Sequence, residues 1–112
     1  MGFVYAFRGI IKGFKEQNMR FHGMATVVVI IMGWYYRLSI NEWLVILILI
    51  SLVWATELIN TSIEELNNTV RDANKLSYQA TTDSRNMAAG SVLAIAIVAA
   101  IVGLIIFIPK IF

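Results

Sequence analysis

No cysteine occurs anywhere in the 112 residues, so disulfides, thiolate catalysis and Cys-ligated metals are excluded. Charge is scarce too. Charged residues make up 14% of the chain and hydrophobic ones 59%, whereas a soluble domain is about one-quarter charged. No Gly-rich loop of the P-loop or kinase type is present to cradle phosphates, and no internal repeat or low-complexity tract appears. A cleavable signal is not expected, because Lys12 and Lys15 sit where its apolar core would be. The opening Met-Gly lacks the Ser or Thr of a myristoylation signal at position six. The single proline, Pro109, is expected to end the last apolar run without costing a helix interior.

What the chain does have is apolar sequence in three blocks, with a mean hydropathy of +0.75. So short a soluble fold could not hide it all. The blocks run from about 21 to 36, 43 to 60 and 87 to 107, each close to the ~20 residues a helix needs to cross ~30 Å of hydrocarbon. The third carries no charge at all. The first is interrupted by Gly23 and Gly33, which membrane helices tolerate. Upstream, Phe3, Phe7, Ile10, Ile11 and Phe14 fall at helical spacing, with Arg8, Lys12 and Lys15 elsewhere on the wheel. That pattern suits a basic amphipathic helix in the membrane interface.

The expected fold is therefore an all-α integral membrane domain spanning 1–112. It has a surface helix at about 3–16 and transmembrane helices at about 19–37, 42–66 and 86–108. Gln17 and Asn18 mark the bend into the first span. Tyr35, Tyr36 and Trp43 form an aromatic belt, and Ser39, Ile40 and Asn41 form the short turn between spans, with Asn41 capping the second helix. That helix is expected to continue past the membrane, with a turn near Asp72, Ala73 and Asn74. Seven cations (Arg8, Lys12, Lys15, Arg20, Arg71, Lys75, Arg85) would lie on one side and two (Arg37, Lys110) on the other. This argues for a cytoplasmic N-terminus and an external C-terminus. The net charge of +2 comes from juxtamembrane cations, which suit anionic headgroups and phosphates better than nucleic acid. Small residues along the third span (Ala88, Ala89, Gly90, Ala96, Gly103) favour close helix approach and self-association.

The chemistry gathers at one end. Residues 43–59 read as membrane-embedded, and Glu57, Asn60 and Glu64 follow at spacings of three and four, on one helix face. An ionised carboxylate at bilayer depth costs on the order of a few kcal/mol, so an intramembrane acid is a functional hypothesis by default. The competing reading is a helix-end carboxylate reaching out to the interface, which is more credible for Glu64 alone than for the three together. With Glu16 and Arg85, these residues could do phosphoryl transfer to a lipid alcohol. Two carboxylates can hold Mg²⁺ alongside phosphate oxygens. A third can accept a hydroxyl proton, and a guanidinium can neutralise phosphate charge. Glu16 could instead simply pair with Arg20, four residues on. His22 reads as a polar interfacial anchor, Glu65 as solvated, and Asp72 and Asp83 as loop residues. An ion pathway is disfavoured because the acids cluster at one end rather than through the bilayer.

The segment ELINTSIEE at 57–65 resembles the signature of the prokaryotic diacylglycerol kinase family, Glu-x-x-Asn-[Thr/Ser]-Ala-Ile-Glu. FKEQNMRFH at 14–22 and MAAGSV at 87–92 fit the same family, and the ending GLIIFIPKIF looks like its Gram-positive branch, whose members phosphorylate undecaprenol. The resemblance covers nearly the whole chain. It implies a homotrimer in the bacterial cell membrane and ATP- and Mg²⁺-dependent phosphorylation of a lipid hydroxyl at the cytoplasmic interface. Position by position, it implies that Glu57 is the general base, with Asn60 beside it. It makes Glu16 and Glu64 the carboxylates that hold metal and nucleotide phosphates. Arg20 falls in the lipid-contacting segment and Tyr5 at a nucleotide-contacting aromatic.

Departures fall on the expected nucleotide side. Ser84-Arg85-Asn86 stands where the family has Ala-Lys-Asp, and Asn68 stands where Asp is usual. Arg85 keeps the charge of the phosphate-binding Lys but replaces a compact ammonium with a planar fork. Asn86 removes an anion. Two readings follow: a lipid kinase with undecaprenol ahead of diacylglycerol as acceptor, or a non-catalytic member acting as a lipid-binding or membrane-assembly protein.

Overall fold

Residues 2–15 and 17–112 are described by the structure, a computed structural model. They form four α-helices: α1 Gly2–Phe14, α2 Gln17–Tyr35, α3 Ile40–Asn74 and α4 Thr82–Ile111. A 3-10 turn at Tyr78–Thr81 precedes α4. Ile40–Asn74 and Tyr78–Ile111 are long and apolar enough to cross a membrane, and Met19–Tyr35 is a shorter apolar helix. In the most apolar windows of the two long helices only 17% and 11% of residues are buried. The helices of a soluble core would be covered. Here Ile31, Trp34, Leu93, Ile101 and Ile105 are exposed, a surface that hydrocarbon satisfies and water does not. The protein is thus a helical membrane protein.

α1 leaves Phe3, Phe7 and Ile11 uncovered. Its C-terminal end docks on α3, where Gly13 is buried against the Leu58 side chain, whose end would have to shift to admit a Cβ. Lys12 closes this contact with an ion pair to Glu65 at 3.0 Å.

The connection between α2 and α3 lies earlier than expected. α2 ends in a Schellman arrangement: Arg37 sits in the left-handed region at φ 54, Leu38 N–H donates to Gly33 C=O and Arg37 N–H to Trp34 C=O. Ser39 rather than Asn41 caps α3. Its hydroxyl accepts from Glu42 N–H, while the Glu42 carboxylate accepts from Ser39 N–H, a capping box. The Ser-x-x-Glu spacing decides between the two residues, because only Ser39 has an acid three positions on.

With 35 residues, α3 extends about 50 Å at 1.5 Å per residue, well beyond ~30 Å of hydrocarbon. It does not turn at Asp72. It runs to Asn74 and is stopped by Lys75 at φ 55, a cation well suited to the negative helix end. α4 then starts at Thr82, so Arg85 and Asn86 are helical. It also continues past Pro109 to Ile111. A proline in the last turn forfeits one hydrogen bond and leaves the preceding turns intact.

α3 and α4 share the most extensive interface. Leu38, Ile46 and Phe107 form the buried cluster, with Met32, Tyr36 and Trp43 packed on it. Lys110 and Glu42, 3.1 Å apart, tie the end of α4 to the start of α3. This end anchors the bundle and leaves the opposite end of α3 to carry the polar site.

Candidate functional site

Glu57 lies 17 residues after the first residue of α3, about 26 Å along a helix that needs ~30 Å to cross the hydrocarbon of a bilayer. Its helix face is turned inward. Glu57 is 2% exposed and Asn60 5%, while Glu64 is half-buried. Asn60 Nδ2 donates to Glu64 Oε1 at 3.4 Å. Glu57 Oε1 and Asn60 Oδ1 are buried and accept no hydrogen bond from any described residue. A buried acceptor left unpaired costs about 1–3 kcal/mol, so two such oxygens on adjacent turns make a place for a hydrogen-bond donor or a cation.

One residue of this site was not expected there. His22 of α2 places Nε2 3.5 Å from Glu57 Oε2, and both side chains are largely buried. A second polar link lies one turn away: Trp54 Nε1 donates to Thr26 Oγ1 at 2.9 Å, and that hydroxyl donates to His22 C=O at 2.7 Å. The backbone at His22 is therefore tied to α3 one turn from the point where its ring meets Glu57. An i, i+4 relation between His22 and Thr26 was visible in the sequence, but pairing them with Glu57 and Trp54 needs the packing of α2 on α3. Beside the site, an apolar groove of about 570 Å³ runs between α2, α3 and α4. His22 and Thr26 are the polar residues in its lining, among Phe21, Val53, Ala96 and Phe107.

The polar face continues along α3. Asn68, one turn beyond Glu64, accepts a hydrogen bond from Arg85 of α4. Arg85 Nε also donates to Thr81 Oγ1 at 2.9 Å, and its guanidinium lies 4.8 Å from the centre of the Tyr78 ring. Asn67 Nδ2 donates to Ser84 Oγ at 2.7 Å, a second stitch between the two helices. All of these partners of Arg85 are neutral. Among the described residues no carboxylate neutralises it, so its charge remains available to an anion.

The remaining residues singled out from the sequence sit apart from this buried stripe or away from description. Tyr5 is exposed on α1 with the Arg8 guanidinium 5.8 Å from its ring centre. Arg20 is exposed on α2, and Asn86 is exposed on α4. Glu65, expected to be solvated, is exposed and paired with Lys12. Glu16 lies outside the described residues.

For a divalent cation, the donors fit in kind. Glu64 and the unpaired amide oxygen of Asn60 are hard oxygen donors of the sort Mg²⁺ selects. Among the described residues no group of three or more His, Asp or Glu side chains converges as a cage. Mg²⁺ is usually held by one or two carboxylates together with substrate phosphates.

The chain is 39% identical over 109 residues to an undecaprenol kinase from Bacillus subtilis (strain 168), covering 96% of this chain and 86% of the relative. No solved structure matches it. Residues 4–107 match the description Prokaryotic diacylglycerol kinase, a stretch that takes in the docked α1, the Glu57–Asn60–Glu64 face and the Arg85 junction. By that match and that identity, the chain belongs to the prokaryotic diacylglycerol kinase family.

Proposed function

We propose that the protein is a membrane lipid kinase that transfers the γ-phosphate of ATP to a lipid alcohol at the cytoplasmic interface. The observation that carries this reading is the buried, unpaired Oε1 of Glu57, which on this reading meets the lipid hydroxyl at the membrane interface. Glu57 Oε1 accepts the hydroxyl proton. The lipid oxygen forms a bond to the γ-phosphorus as the bond to the bridging oxygen breaks, and ADP leaves. Positioning and electrostatics do most of the work in such a transfer.

Asn60 holds the Glu64 carboxylate through its amide N–H. Glu64, together with Glu16, would hold Mg²⁺, which when bound supplies positive charge against the phosphate oxygens. Arg85 offers a guanidinium with no anionic partner among the described residues. Tyr5 and Asn86 are assigned to the nucleotide and Arg20 to the lipid headgroup, all three being exposed and reachable. Undecaprenol is favoured over diacylglycerol because the similar protein from Bacillus subtilis is an undecaprenol kinase. The apolar groove beside His22 suits a long hydrocarbon tail.

A homotrimer with a cytoplasmic N-terminus completes the reading. The uncovered faces of α2 and α4 and the cation asymmetry support it. A second reading, lipid binding without turnover, is favoured by one observation: Arg85 is already engaged by Asn68 and Thr81. ATP consumption by the purified protein with each lipid alcohol separates the two. Product formation with either lipid establishes the kinase, and inactivity with both, alongside activity of the Arg85→Lys, Asn86→Asp double variant, favours the binding protein.

A further inference from the structure

We propose that His22 is the positioning residue of Glu57: its Nε2–H holds Oε2, so that Oε1 alone faces the lipid hydroxyl. This rests on the kinase reading above and adds a residue to it. The two oxygens of Glu57 are not equivalent. Oε2 faces the His22 imidazole at 3.5 Å, whereas Oε1 is buried without a partner. A carboxylate anchored by one oxygen has lost its freedom to swing, and the free oxygen is presented in a fixed direction. At 3.5 Å the contact is not a formed hydrogen bond; on this reading it tightens when substrate arrives, as catalytic contacts often do.

The backbone that carries the imidazole is tied to α3. Thr26 donates to the His22 carbonyl and accepts from Trp54 on the same helix as Glu57, so α2 and α3 are pinned one turn from the pair. No other charge competes for it among the described residues. Lys12 of α1 is engaged by Glu65. Glu64 accepts from Asn60. The α4 residues lining the groove that His22 shares carry no charge. An imidazole that merely filled space would have no reason to aim a ring nitrogen at the one buried carboxylate among the described residues.

The chain has one histidine, so its ring nitrogens can be read by ¹⁵N NMR without assignment ambiguity. In the wild type the neutral ring is expected as the Nε2–H tautomer, and Glu57→Ala should shift it toward a mixture. An unchanged nitrogen spectrum in Glu57→Ala overturns the pairing.

The second arm is kinetic. His22→Leu should lower kcat by at least about tenfold with KM for ATP and lipid nearly unchanged, and His22→Gln, which keeps an N–H donor, should recover most of it. If His22→Leu keeps kcat to within about twofold of wild type, or if His22→Gln is as impaired as His22→Leu, the positioning role is wrong. Should His22→Leu fail to give folded helical protein, His22→Gln and the nitrogen spectrum decide. A wild type that phosphorylates neither lipid sinks the kinase reading and with it the positioning role, while the spectrum still judges the contact.

Discussion

Arg85 on α4 and Asn68 on α3 hold each other across the helix junction, guanidinium to amide oxygen. By the resemblance read from the sequence, both stand where the family would have other residues, a Lys and an Asp. The two differences therefore meet at one contact rather than acting separately. A planar fork can serve Asn68, Thr81 and the Tyr78 face together, and an ammonium could not.

That geometry gives opposite expectations for stability and activity. Arg85→Lys with Asn86→Asp should raise turnover by restoring a compact cation and a nearby anion. The same change should lower stability by about 1 kcal/mol through the lost bond to Thr81 and the lost stacking. Turnover and thermal unfolding of the double variant measure both. Unchanged turnover would mean the Arg85 arrangement is already competent.

Replacing Glu57 by Gln keeps shape and burial but removes the base. Turnover should fall by at least about a hundredfold with helical content and oligomeric state retained. Substantial residual activity in Glu57→Gln would remove Glu57 from the base role.

Close packing at the anchoring end is testable at Gly33. A Cβ there would lie 2.7 Å from Trp43 Cη2 and 3.0 Å from Leu38 Cδ1. Neither neighbour can yield freely, because the Trp43 ring is rigid and Leu38 is buried. Gly33→Val should therefore destabilise the protein by about 1–3 kcal/mol, seen as a lowered Tm in detergent. A Tm equal to wild type would show that α2 and α3 approach less closely.

Glu42 ties the same end together. Its carboxylate accepts from the Ser39 N–H and lies 3.1 Å from the Lys110 ammonium. Glu42→Ala should therefore lower stability by about 1 kcal/mol, read as a lowered Tm in detergent. A Tm equal to wild type would show that neither contact contributes.

Much of this was legible in one dimension. The apolar runs and the three-and-four spacing of Glu57, Asn60 and Glu64 follow from helical periodicity, which neighbouring segments do not alter. Helix ends were less readable. Arg37 and Lys75 terminate helices from the left-handed region, where glycine is the usual signal, so no composition cue announced them. The Ser39–Glu42 box was present as a pattern and decided the α3 start only once the backbone at Ser39 was seen to be extended.

Sequence alone determined that the chain belongs in a membrane and that one helix carries its acids as a stripe, since burial preference and periodicity are local properties of residues. Tertiary structure decided what those acids meet. His22 is 35 positions from Glu57 in the chain, and Arg85 is 17 from Asn68. Only the packing of α2 and α4 against α3 brings an imidazole to one carboxylate oxygen and leaves the other unpaired. Contacts between helices depend on interface geometry that no single segment encodes.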